Sequence, residues 1–75
     1  MYAFIKSIKK ANQIRRYTIQ TATSGWEVRE EQGSEIVRQV HYQDWHRVER
    51  ARRELMMEMH FLQENGWTEE REAEI

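Results

Sequence analysis

The sequence predicts an α+β domain. It would be a three-stranded antiparallel meander, four-stranded if the N-terminus adds a strand, packed on one long C-terminal helix. Three observations carry that reading. Residues 14–42 hold three short runs in which apolar and polar residues alternate, the period of a half-buried strand. From Asp44 the apolar spacing changes to that of a helix and keeps it to about Asn65. The whole chain has 75 residues, enough for one domain with a modest core.

The first run, "IRRYTIQT" (14–21), sets Tyr17, Ile19 and Thr21 against Arg16, Thr18 and Gln20. "ATSG" follows as a turn, with Gly25 free to take positive φ. In "WEVRE" (26–30), Trp26 and Val28 oppose Glu27 and Arg29, and in "SEIVRQVHY" (34–42) Ile36, Val40 and Tyr42 are in phase. Parity favours a three-residue loop, Glu31-Gln32-Gly33, between these two strands. That loop pairs Val28 with Ile36, Trp26 with Arg38, and Arg29 with Glu35. Arg38 would then lie over the Trp26 ring as a cation–π contact.

Asp44 suits the helix N-cap, since its carboxylate accepts orphan backbone N–H groups. Gly66 suits the C′ position, with Trp67 folding back on Leu62 in a Schellman-type stop. One arc of the helix collects Trp45, Val48, Ala51, Leu55, Met56, Met59 and Leu62 and should cover the sheet. Glu49 and Arg53 are placed for an i,i+4 pair. Arg52 falls inside the apolar arc, so it either snorkels out or meets a buried acceptor such as Glu30 or the Tyr17 hydroxyl. The predicted core is Tyr17, Ile19, Trp26, Val28, Ile36, Val40, Tyr42, Trp45, Val48, Leu55, Met59, Leu62 and Trp67.

Residues 1–13 form a basic N-terminal arm whose short pattern fits a strand, a short helix or a disordered segment. The β-β-β-α domain then spans 14–67, and 68–75 reads as an acidic mobile tail. "GWEVREE" (25–31), "DWHRVERAR" (44–52 with Arg53 following) and the closing "GW" (66–67) resemble a set of short bacterial proteins; the resemblance implies no activity. In order of elements, three strands and a helix are similar to the plant ethylene-response-factor DNA-binding domain. A fourth N-terminal strand would make the order similar to whirly-type single-strand binders. Such binders show a basic sheet, whereas this one mixes charges.

Composition excludes several functions. There is no Cys, hence no disulfide framework and no Cys-based zinc site. No run is long enough to span a membrane, and the N-terminal charges follow the apolar run, the wrong order for a secretory signal. A cytoplasmic location is expected. His41, His46 and His60 are the only imidazoles. Asp44 and His46 point about 200° apart on a helix and cannot orient one another. Glu54 and Glu58 share what reads as a solvated face. No enzyme, cofactor, metal or small-molecule substrate is expected; His60 and Glu64 at i,i+4 are too few for a metal site.

Two binding readings remain. The leading one is a small non-enzymatic protein-interaction module, a homodimer or a partner of another protein. The helix, at about 33 Å, should outrun strands of about 20 Å. Its far end is apolar on two sides, and Met56, Met57, His60 and Phe61 would form the interface. The alternative is DNA or RNA binding through Lys6, Lys9, Lys10, Arg16, Arg29, Gln39 and His41.

Overall fold

Alternating polarity lays the first forty-odd residues out as strands, and the computed structural model, which describes residues 2–70, has four of them in sequence. They are β1 (Tyr2–Lys10), β2 (Gln13–Ala22), β3 (Gly25–Gln32) and β4 (Glu35–Tyr42). Helix α1 (Trp45–Glu64) follows, and then a short strand, β5 (Thr68–Glu70). The architecture is α+β, with one antiparallel five-stranded sheet in the order β4-β3-β2-β1-β5.

The basic arm is therefore a strand. Phe4 stands opposite Ile19, Lys6 opposite Tyr17 and Ile8 opposite Arg15, so these side chains face α1. As a strand the segment buries Ile8 completely and has hydrogen-bonding neighbours on both sides. Thr68–Glu70, expected as the start of a tail, pairs with β1: Lys9 faces Thr68, Ile8 faces Glu69 and Ser7 faces Glu70. Residues 71–75, the rest of that expected tail, lie outside the described residues.

The β3–β4 register differs from the expected one. Gln32 pairs with Glu35 across a two-residue turn, and a bulge follows on β4, opposite Glu30 and Glu31. Beyond it Glu30 pairs with Arg38, Val28 with Val40 and Trp26 with Tyr42. The extra residue, Val37, shifts the phase of β4 by one. Val40 and Tyr42 thereby reach the inner face, while Ile36, opposite Glu31, falls on the outer face and is 51% exposed. The expected Trp26–Arg38 contact does not form, because Arg38 stands across from Glu30.

α1 starts as its cap residue dictates. The His46 N–H donates to Asp44 Oδ1 at 3.0 Å. Its stop is a Schellman motif: Gly66 has φ +96°, the Trp67 N–H donates to the Leu62 carbonyl at 3.0 Å and the Gly66 N–H to that of Gln63 at 3.3 Å. The Lys10 ammonium donates to the Asn65 carbonyl at 2.9 Å, where a cation suits the negative helix end.

Between α1 and the sheet, the core is Ile8, Tyr17, Ile19, Val28, Val48, Ala51, Leu55, Met59 and Trp67, with Phe4, Trp26, Tyr42 and Leu62 packed against it. Trp45, expected inside, is 41% exposed. It is the first residue of α1, where its ring meets that of Trp26. Arg52 does snorkel: its guanidinium carbon is 5.9 Å from the Phe4 ring centroid and its Nη1 is 3.8 Å from Glu49. Glu49 thus meets Arg52 rather than the expected Arg53. No helix among the described residues is long and apolar enough to cross a membrane.

Candidate interaction surfaces

The outer face of α1 follows from helical phase. Val48 points into the core, and Met57, nine residues on, lies about 180° round the helix. Met57 is 73% exposed, Phe61 63% and Met56 45%. With His60 and Glu64 they line an apolar hollow of about 380 Å³. His60 Nε2 is 3.0 Å from Glu64 Oε1, and both side chains are largely in water. All four expected interface residues therefore meet on one patch.

The patch exists for a different reason than the sequence suggested. Strands of 8 to 10 residues span about 26–33 Å, so the sheet is as long as the helix and nothing overhangs. Met57 and Phe61 are exposed because they point away from the sheet. The alternative cover, the segment Phe4–Ile8, is ruled out by its place in the sheet beneath the opposite side of the helix.

The N-terminal half of the same outer face is basic. His46, Arg47, Arg50 and Arg53 are exposed there, and the three arginines make no ion pair among the described residues. Sequence reading saw these arginines only as a solvated helix face. Their spacing at every third residue was the signal that they share one side.

The expected nucleic-acid surface is dispersed. Arg16, Arg29, Gln39 and His41 do lie on the outer sheet face. That face supplies its own counter-charges. Glu27 accepts from Arg29 Nη2 at 2.6 Å, Gln39 at 2.8 Å and Gln20 at 3.4 Å. Arg29 also reaches Glu31 at 3.8 Å, and Arg16 reaches it at 4.0 Å. The bond from Gln39, with those from Arg29 and Gln20, holds the Glu27 carboxyl below the ordinary carboxylate range. The lysines diverge. Lys6 is on the helix side, 3.2 Å from Glu69; Lys10 caps α1; Lys9 is on the outer side opposite Thr68.

Glu30 and the Tyr17 hydroxyl, the buried acceptors considered for Arg52, stand instead with Arg15 and Glu58 in one polar cluster. Tyr17 is fully buried, and its hydroxyl has no hydrogen-bond partner in acceptable geometry among the described residues. Opposite it on β3 stands Glu30, 8% exposed. Glu58 of α1, expected in water, is half-buried, 3.9 Å from Arg15 Nη1. Burial pushes the Tyr17 hydroxyl up, helped by the charges of Glu58 and Glu30 and opposed by Arg15. Burial and then the Glu30 charge raise Glu58, while Arg15 and Arg38 pull it back. These groups straddle the core boundary. Among the described residues no group of three or more His, Cys, Asp or Glu is placed to hold a metal.

No family model, curated protein or solved structure matches the chain.

Proposed function

We propose that this chain is a small non-enzymatic protein-interaction module that associates with a second copy of itself through the outer face of α1. The observation that supports it most is the pair Met57 and Phe61, exposed at 73% and 63% one turn apart on the solvent side of a well-formed helix. Adaptable Met beside an aromatic ring is the composition of a docking surface rather than of a solvated one. A second copy would also add stability to a small domain without disulfides.

The test is sedimentation of the wild type and of Phe61→Glu at tens to hundreds of micromolar. The wild type is expected to sediment as a dimer and Phe61→Glu as a folded monomer, because Phe61 contributes nothing to the core. A wild-type monomer across that range would overturn the reading.

A further inference from the structure

We infer that two copies of α1 pair antiparallel, with the two-fold axis passing through Met57. The inference rests on the self-association proposed above and adds how the helices meet.

Arg50 and Glu64, of opposite charge, stand at equal distances on either side of Met57 on the outer face. Three residues before it is Glu54 and three after is His60. Four before is Arg53 and four after is Phe61; seven before is Arg50 and seven after is Glu64. Offsets of three, four and seven are those that share one side of a helix. A two-fold axis perpendicular to the helix at Met57 exchanges each position with its opposite. Glu64 then meets Arg50 of the second copy, because both lie near the centre line of the face, whereas residues three and four from Met57 stand on its flanks, where Phe61 comes beside Glu54 and His60 beside Arg53. Each contact occurs twice. A parallel two-fold pairing would instead set Arg50 on Arg50, Arg53 on Arg53 and Glu64 on Glu64. The sign pattern therefore selects the antiparallel arrangement.

The side chains are available for these roles. Arg50 and Arg53 are exposed and have no ion-pair partner among the described residues. Among the described residues Glu64 is engaged by His60 alone, and both side chains are mostly in water, so a guanidinium can replace the imidazole. Among the described residues nothing obstructs the approach, since the sheet lies behind the helix. One helix crossing another is a small interface, so dissociation in the micromolar range is expected.

Charge reversal tests the arrangement. Arg50→Glu and Glu64→Arg each place like charges in both contacts of a homodimer, and each should dissociate at least about tenfold more readily than the wild type. An equimolar mixture of the two variants should recover dimers, because the mixed dimer holds one native contact and one reversed. The double variant Arg50→Glu/Glu64→Arg should recover them as well. Both positions are exposed, and unchanged helical circular dichroism verifies folding. Single variants that associate like the wild type, or a mixture that stays monomeric, would overturn the antiparallel pairing. Were Phe61→Glu still to abolish the dimer in that case, self-association would stand and only the arrangement would fall. A wild-type monomer would remove both.

Discussion

The rings of Trp26 and Trp45 meet with centroids 5.1 Å apart and planes tilted by 57°. One ring comes from the end of the sheet and the other from the first residue of the helix, so the contact fixes where α1 enters. The two are not equally covered. Trp26 is half-buried against the core, whereas Trp45 keeps 41% of its surface in water. Trp26→Ala should cost about 3 kcal/mol. Trp45→Ala should cost about 1–2 kcal/mol, since it loses the ring contact and only part of its burial. Urea denaturation of both variants gives the order, and a larger loss at Trp45 would contradict it.

Two glycines should differ sharply on substitution. Gly66 has φ +96°, and a Cβ there would meet only the flexible end of Lys10, 3.4 Å away. Gly66→Ala should cost about 1 kcal/mol of backbone strain. Gly25 has φ +111°, and a Cβ there would collide with the Tyr42 carbonyl oxygen, a backbone atom of the neighbouring strand. Gly25→Ala adds that clash to the strain and should cost at least about 2–3 kcal/mol. Thermal melts that rank Gly66→Ala as the more harmful would count against the close approach of β3 to β4.

Ala11 is the converse case. It is the one non-glycine residue with positive φ, +54°, among the described residues, at the turn between β1 and β2. That conformation disfavours a side chain by about 1 kcal/mol. Ala11→Gly should therefore stabilise the protein by up to about 1 kcal/mol, less the added freedom of the unfolded chain. A melting temperature lowered by this change would show that the turn is not strained.

Glu58 gives a pH dependence with a definite sign. Its folded-state carboxyl is raised above the ordinary value of 4.5, so the folded chain holds that proton to higher pH than the unfolded chain does. Its penalty is absent below the ordinary value and appears as pH rises through the window above it. Glu58→Gln should thus be more stable than the wild type at pH 7, and the advantage should shrink towards pH 4. Melts at the two pH values decide. A Glu58→Gln protein that is less stable at pH 7 would mean that the 3.9 Å approach of Arg15 outweighs the desolvation.

The helix was legible from end to end because its signals are local. Asp44 and Gly66 act through atoms within a turn, and the 3.6-residue period by itself turns Met57 outward. The inner faces of β2 and β3 were legible for the same reason. β4 was misread at Ile36 because a bulge at Val37 adds one residue, and alternation alone cannot reveal an added residue. The N-terminal segment fitted two periods equally well, and what settles it is pairing with β2 and with the distant β5. The lysines of that segment read as one basic arm, yet a strand sends Lys6 and Lys9 to opposite faces. The burial of Glu58 was hidden because it lies at the rim of the apolar arc, where the neighbouring strand rather than helical phase decides exposure.

The place of β5 beside β1 has a consequence for how the protein is made. β1 is the first described element to leave the ribosome, and the strand that covers Ser7–Lys9 on its second edge is the last of them. Until Thr68–Glu70 emerge, a nascent β1–β2 hairpin presents an open row of N–H and C=O groups. Lys6 and Lys9 stand on that strand, and positive charge on an unfinished edge discourages pairing with another nascent chain. Glu69 later neutralises Lys6 when the edge closes. The same lysine thus guards the strand during synthesis and fastens it afterwards.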